Sequence, residues 1–350
     1  MGRMIRTIRT AILGASGYAG AELLRLCAGH PDLEVVAATG DSQAGELVAD
    51  AYPSLAAAYP TLRYGATGAA AAVDAGAELV FCALPHGASQ SVVPELRAQA
   101  KVVVDLAADF RLADADLYPE WYGAAHQHPE LLAEAAFGIP ELFRDGLVGA
   151  SLVAAAGCYV TAASLALAPL VRAGAVEPTG VVVDAASGVS GAGKGLRASS
   201  HFNTVDEDFS AYGLLRHRHT PEIEQATGAQ VIFTPHLAPM NRGILATVYA
   251  RPAAGFAWPG RQPDPLGLLA GAYRDEPFVV VSERSPSTKA TLGSNCAHLS
   301  ARYDPRTGWI LALCALDNLT KGAAGQALQC ANIALGLAET AGLPMAGLYP

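Results

Sequence analysis

Charge is scarce in this chain: Asp, Glu, Lys and Arg make up 16% of its 350 residues, against 51% hydrophobic residues. A sequence so poor in charge is neither a disordered polyampholyte nor a charged nucleic-acid-binding tail, and it must bury its apolar residues in a compact fold. What charge there is sums to −9 at pH 7, so no long-range field draws polyanions in, and an anionic ligand has to be caught by local groups. Long apolar runs are missing as well. Gly, Pro, Asp or Arg interrupts each stretch before the roughly 18–20 residues needed to span a bilayer. The basic N-terminus leads only into Ala11–Leu13 before Gly14, far short of the apolar core of a secretory signal. A cytoplasmic protein with no membrane or nucleic-acid partner is expected. The six cysteines, at positions 27, 82, 158, 296, 314 and 330, form no CxxC pair and no short-spaced cluster, which argues against a disulfide framework and a zinc ribbon. No metal is expected.

Glycine and proline, by contrast, are plentiful, with 36 and 22 copies; they belong to turns and close backbone approaches. At about 100–200 residues per domain the length predicts two domains. In the first half, short apolar runs at Ile8–Leu13, Leu33–Thr39, Ala77–Leu84 and Lys101–Leu106 alternate with Ala/Leu-rich helical patterns such as Ala21–Gly29. Buried runs separated by helices read as a doubly wound parallel sheet. After residue 150 longer runs follow, at Gly180–Ala186, Ala229–Thr234, Ile244–Ala250, Phe278–Ser282, Ala297–Tyr303 and Trp309–Leu316, several of them alternating as in a half-buried mixed sheet. The expected organisation is an α/β dinucleotide-binding domain over 1–150, completed by a C-terminal helix within 319–350 (Leu319–Ala341), and an α+β catalytic domain over 151–318.

Gly14-x-x-Gly17-x-x-Gly20 lies between the first run and the first helical pattern. Glycines there permit a tight turn, and the following helix N-terminus presents N–H groups to a pyrophosphate. About 20 residues on stand Asp41 and Ser42, where the ribose-binding acid of such folds belongs; Asp41 would repel a 2′-phosphate and favour NAD. Of the cysteines, Cys158 alone sits in a small-residue turn, Ala154-Ala155-Ala156-Gly157-Cys158, ahead of a helical segment over Ala162–Val171. A helix N-terminus stabilises a thiolate, and its N–H groups can hold an oxyanion. Arg216-His217-Arg218-His219-Thr220-Pro221 supplies the base: Thr220 reads as an N-cap and Pro221 as N1 of a helix ending near Thr227-Gly228, so His219 meets the positive end of a dipole that keeps it neutral. Gly188–Gly195 matches the phosphate-loop pattern GxxxxGK but ends in Gly195, which has no hydroxyl for magnesium; a glycine loop that approaches cofactor or substrate explains it instead. Arg111, after the run 101–106, and Arg242, in a polar loop, are candidate anion clamps.

Taken together these pieces resemble the N-acetyl-γ-glutamyl-phosphate reductase family, relatives of aspartate-semialdehyde dehydrogenase. The resemblance rests on the order and number of matches across nearly the whole chain: GASGYAGAELLRL at 14–26, LPHGAS at 84–89, DLAADFRL at 105–112, FGIPEL at 137–142, GCYVTA at 157–162, SGVSGAGK at 187–194, HRHTPEI at 217–223, HLAPMNRGI at 236–244 and DNLTKGAAGQALQ at 317–329. It implies a Rossmann domain, a mixed-sheet catalytic domain, NADP(H), an acyl phosphate substrate, phosphate release and a homo-oligomer, dimer or tetramer. Cys158 is then the nucleophile and His219 the general acid/base, with His217 the competing choice. Gly14, Ser16, Gly17, Tyr18, Ala19, Ser42, Leu84, Pro85, Ser190, Gly191 and Asn318 are the expected cofactor contacts, and Arg111, Arg218, Arg242 and Glu222 the expected substrate contacts. The chain departs from the family at Ala155, Ala156 and Val160, where Asn, Pro and Pro are frequent, and at Asp41, where Arg is frequent; NADP is thus carried by resemblance, and NAD by the local chemistry of Asp41. The residues also leave open an aspartate-semialdehyde-dehydrogenase-like reductase, a cysteine hydrolase or amidotransferase on the same Cys/His pair, and a dinucleotide-sensing protein with an unreactive Cys158.

Overall fold

A computed structural model describes residues 7–349 of the chain. Among them are thirteen strands. Six lie in the first half: β1 (Ile8–Leu13), β2 (Leu33–Ala38), β3 (Leu79–Cys82), β4 (Val102–Asp105), β5 (Ala136–Gly138) and β6 (Leu152–Ala155). The other seven are β7 (Val181–Gly188), β8 (Ser210–Ala211), β9 (Val231–Ala238), β10 (Ile244–Ala250), β11 (Val279–Val281), β12 (Ala297–Asp304) and β13 (Trp309–Leu316). Four helices concern the site: α1 (Tyr18–Ala28), α2 (Cys158–Arg172), α3 (His219–Thr227) and α4 (Gly325–Ala334). The described residues group into two compact units, 7–156 with Ala323–Leu343, and Gly157–Gly322 with 344–349.

The first unit is built on a six-stranded sheet in the order β2-β1-β3-β4-β6-β5, parallel throughout. Strands β3, β4 and β6 are buried residue for residue, the signature of strands covered on both faces. The order reverses between β1 and β3, so the loops after these two strands share the carboxyl edge at a topological switch point, where open α/β sheets bind ligands. The edge strand β5 is too short to stand out in the sequence; Gly138 is demanded there, because a Cβ would lie 2.9 Å from Ala155 Cα on β6. Helix α4 packs on β4, β5, β6 and α1. It is shorter than the pattern 319–341 predicts: a π turn, Thr320–Ala324, precedes it, and at its end Gly336 adopts φ +69° while Leu337 N–H returns to the Asn332 carbonyl at 2.8 Å, closing the helix.

The second unit carries a mixed sheet in the order β11-β12-β13-β10-β7-β9-β8, with β7/β9 and β11/β12 parallel and the other pairs antiparallel. Helix α2 packs on β10 and β13. Along β7, β10 and β13 burial alternates, so one face is core and the other holds half-buried Val182, Tyr249, Leu311 and Leu313. Strand β9 continues through Pro235, where the apolar run was expected to stop; Pro235 has no N–H to offer, but its carbonyl accepts from Tyr212 N–H at 3.1 Å. The GxxxxGK segment ends β7 and then forms only the 3-10 turn Val189–Ala192, without the long helix that a phosphate loop opens.

Candidate active site

In the first unit the glycine loop forms the tight turn between β1 and α1, with a division of labour among its glycines. Gly14 has φ +77°, and a Cβ there would lie 2.3 Å from the Ala83 carbonyl oxygen; one at Gly20 would lie 2.4 Å from the Gly14 carbonyl oxygen. These two glycines lock strand, turn and helix together. Gly17, the N-cap of α1, would meet only ordinary contact at 3.5 Å, so packing does not demand its bareness; it leaves the helix N-terminus uncovered, with Tyr18 and Ala19 in the first turn, whose N–H groups have no intrahelical acceptor. Buried Thr39 fixes the loop, its Oγ1 accepting from Gly14 N–H at 3.0 Å. Asp41 and Ser42 lie in an exposed 3-10 turn, Asp41–Gln43, after β2. The loop after β3, with Leu84 buried and Pro85 exposed, hangs on Asp109, whose carboxylate accepts from Gly87 N–H at 2.7 Å and Ser89 N–H at 2.9 Å and sits 2.8 Å from His86 Nδ1. Burial works to raise the Asp109 pKa, but these donors outweigh it and the carboxyl titrates below the usual range. Arg111, expected at the substrate, spends Nε on the Ala155 carbonyl at 2.8 Å and Nη2 on the Leu106 carbonyl at 2.7 Å. It ties the end of β6 to the end of β4.

In the second unit Cys158 is the first residue of α2, with Gly157 as N-cap and no capping side chain; the helix begins four residues before the expected Ala162. Cys158 is half-buried, while Cys27, Cys82, Cys296, Cys314 and Cys330 are buried. His219 lies directly against this turn: a Cβ on Gly157 would be 2.3 Å from His219 Nε2. Only a glycine before the cysteine lets the imidazole in. Glu222, one turn further along α3 and fully buried, accepts the Gly157 N–H on Oε2 at 3.2 Å, so this carboxylate helps to hold the turn that carries the cysteine.

Helix α3 starts at His219, with Arg218 as N-cap, two residues before the expected N-cap Thr220 and first residue Pro221. The reason is His217. Its Nδ1 accepts the His219 N–H at 3.2 Å and its carbonyl accepts the Thr220 N–H at 3.0 Å, so an imidazole performs the capping assigned to the threonine hydroxyl. Burial, then the neighbouring His219, push the His217 pKa down to about 3; it is neutral, as an acceptor must be. Its ring sits among Tyr159, Tyr212, His219 and Phe233 at centroid distances of 4.7 to 5.7 Å. The tyrosines escape a reading of the sequence: Tyr212 Oη donates to Tyr159 Oη at 3.1 Å and Tyr159 Oη to the His236 carbonyl at 3.0 Å. Burial raises both phenols, Tyr212 to about 12, so both stay protonated near neutral pH.

The remaining expected residues fall into one polar knot and one outlier. Asn318 accepts the Gly243 N–H on Oδ1 at 2.7 Å and donates from Nδ2 to Ser190 Oγ at 3.0 Å. A Cβ on Gly191 would lie 3.0 Å from Ser187 Oγ, and one on Gly188 2.8 Å from Arg242 N. Arg242 is paired with buried Asp317, Nε and Nη2 reaching Oδ1 at 3.2 and 3.0 Å, and Nη2 also reaches Thr320 Oγ1 at 2.9 Å. Arg218 is the outlier, exposed at the head of α3. Among the described residues no group of three or more His, Cys, Asp or Glu side chains could hold a metal ion, and no helix is long and apolar enough to cross a membrane.

Residues 9–150 match the family model for the semialdehyde dehydrogenase NAD binding domain, and residues 158–318 that for the semialdehyde dehydrogenase dimerisation domain. Two proteins named N-acetyl-gamma-glutamyl-phosphate reductase, from Desulforudis audaxviator and Salinispora arenicola, are 47% and 49% identical to this chain; each match covers 98% of it, and 100% and 99% of those proteins. Among solved structures, aspartate semialdehyde dehydrogenase II of Vibrio cholerae complexed with ASA superimposes with a TM-score of 0.70 at 14% identity, covering 95% of this chain and 99% of that one. The enzyme of Candida albicans with NADP superimposes with a TM-score of 0.69 at 14% identity over 93% and 98%; at such identity the likeness is one of fold. On the near-full-length sequence matches, the chain belongs to the N-acetyl-gamma-glutamyl-phosphate reductase family, oxidoreductases of the semialdehyde dehydrogenase type.

Proposed function

We propose that this chain reduces N-acetyl-L-glutamyl 5-phosphate to N-acetyl-L-glutamate 5-semialdehyde and phosphate with NADPH, as a step of arginine biosynthesis, through a thioester on Cys158. The observation that carries the reading is the thiol at the first residue of α2 with His219 Nε2 against the preceding Gly157. The Cys158 thiolate attacks the acyl carbon, the carbon–oxygen bond to phosphate breaks, and phosphate leaves with its electron pair. N–H groups at the head of α2 stabilise the oxyanion. A nicotinamide held by the first unit would supply the hydride that reduces the thioester. Hydride addition leaves an oxyanion on the thiohemiacetal carbon; His219 lends it a proton and takes the same proton back as the carbonyl re-forms and the carbon–sulfur bond breaks, releasing aldehyde and thiolate. Neutral His217, its Nδ1 engaged by the His219 N–H, serves as the scaffold of His219.

The chain's own residues fit a dinucleotide. Gly14 and Gly20 bring the loop and helix together while Gly17 leaves the head of α1 open, a cradle for a pyrophosphate among Ser16, Tyr18 and Ala19. The exposed turn Asp41–Gln43 follows the second strand, and in this reading it faces the ribose. NADP is favoured by the family, and Asp41 is the residue that would admit NAD. A homo-oligomer is part of the reading: the half-buried face of the seven-stranded sheet, with Val182, Tyr249, Leu311 and Leu313, suits a second copy, in keeping with the match of residues 158–318 to a dimerisation domain.

The decisive assay runs the reaction backwards, with phosphate, comparing the acetylated glutamate semialdehyde with aspartate semialdehyde and NADP with NAD at 340 nm. Activity is expected with the acetylated substrate and NADP, and Cys158→Ser is expected to lose at least ~10³-fold in kcat. Near-normal turnover by Cys158→Ser, or a preference for aspartate semialdehyde, would sink the reading.

A further inference from the structure

Cys158 meets a second backbone-bare position, far from it in sequence. A Cβ built on Gly322 would lie 2.7 Å from Cys158 Cβ and 3.2 Å from its Cα, closer than side chains tolerate, and the obstructing atoms sit at the root of the cysteine, where no rotamer change relieves them. Gly322 lies in the π turn Thr320–Ala324. That turn is pinned by one buried residue, Asp317. Its Oδ1 accepts from Leu319 N–H at 2.9 Å and Thr320 N–H at 3.1 Å, its Oδ2 from Gly293 N–H at 2.7 Å, and its carbonyl from Gly322 N–H at 2.9 Å. Arg242 closes the arrangement from the opposite side, on Asp317 and on Thr320 Oγ1.

We infer that Gly322 is a positioning residue for the thiol, and that Arg242 acts through Asp317 and the π turn to hold it there instead of gripping substrate. This rests on Cys158 being the nucleophile, as proposed above. The physical logic is steric. Gly157 admits the His219 imidazole beside the cysteine turn and Gly322 brings the π turn against the Cys158 Cβ and Cα, so a side chain at 322 would displace the root of the cysteine. A nucleophile misplaced by about an ångström costs on the order of 10²-fold in rate.

The test uses the full-length protein and two readouts: reverse-assay kinetics, and the pH dependence of iodoacetamide alkylation at Cys158, followed by peptide mapping. Gly322→Ala is expected to lower kcat on the order of 10²-fold with KM within about threefold, and to move the alkylation profile to higher pH as the thiolate leaves its seat at the head of α2. Thr320→Val, nearly isosteric and a gentler loosening of the same turn, is expected to shift both readouts in the same direction by a smaller amount, and it decides the matter if Gly322→Ala does not fold. Arg242→Lys separates the two roles: lowered kcat at unchanged KM with a shifted alkylation profile supports positioning, whereas a raised KM with the wild-type profile returns Arg242 to the substrate and overturns its part. Folded Gly322→Ala and Thr320→Val proteins with wild-type kcat and alkylation profile overturn the whole. The alkylation readout needs no acyl phosphate, so failure of the substrate assignment would leave it standing and be recognised as a separate failure.

Discussion

At the scale of single residues, the assignment of acid/base chemistry turns on two histidines whose rings lie 4.7 Å apart. His217 is pushed down to about 3 by burial and spends Nδ1 on a backbone N–H, while His219 points Nε2 at the cysteine turn. An Asn at 217 can accept the same N–H; an Asn at 219 cannot shuttle the proton. His219→Asn is therefore expected to lose ~10²–10⁴-fold in kcat, and His217→Asn less than about tenfold, in steady-state kinetics at pH 7.5. A larger loss at 217 would reverse the roles. Cys158 and the two histidines were legible because reactive residue types are scarce and stood in turn sequences ahead of helical patterns. Glu222, Arg111 and Arg242 were legible only as charges. Whether a charge faces a ligand or a backbone is settled by what folds beside it, and here each has a protein partner: the Gly157 N–H, the Leu106 and Ala155 carbonyls, and the Asp317 carboxylate.

Elements carry strain of a different kind. At the end of β4, Asp105 is fully buried, takes hydrogen bonds on Oδ1 from Ser89 Oγ at 2.6 Å and Ala107 N–H at 3.1 Å, and leaves Oδ2 without a partner. Burial raises its pKa to about 8, so the folded protein prefers the protonated acid. A folded pKa above the unfolded value of ~3.9 means a contribution that is complete below pH 4 and lost as pH rises through about 8. Asp105→Asn, which cannot ionise, should gain on the wild type across that window, by little at pH 4 and on the order of a few kcal/mol at pH 8. Urea unfolding at both pH values measures it, and a difference that does not vary with pH would contradict it. Elements also differ in how openly the sequence announces them. Strands β10 and β13 match their alternating runs residue for residue, because a two-residue period is a local property. Strand β9 outran its proline and α3 began early because a neighbouring strand end and an imidazole supplied the hydrogen bonds.

For the molecule as a whole, the proposed homo-oligomer is tested at the half-buried face of the seven-stranded sheet. In register across β7, β10, β13 and β12, Asp184, Thr247, Leu313 and Ser300 form one row, and Val182, Tyr249 and Leu311 belong to the next. Size-exclusion chromatography with light scattering at micromolar concentration should return a dimer or tetramer for the wild type. Leu313→Glu, which sets a charge in the middle of that face, should shift it toward the monomer. A wild-type monomer would remove the oligomer from the reading. Composition and period by themselves determined a compact two-part chain, a parallel sheet followed by a mixed one, a glycine loop opening the first helix, and a cysteine at the head of another; these follow from local hydrogen-bonding and burial patterns that any short window displays. Only the tertiary structure decided which charges are spent on the fold, which histidine lies against the Gly157 turn, and that Gly322, 164 positions beyond Cys158, belongs beside it. Such contacts arise from chain segments that meet only after folding, and a glycine's fitness for one of them is a matter of the space around it, which no sequence pattern records.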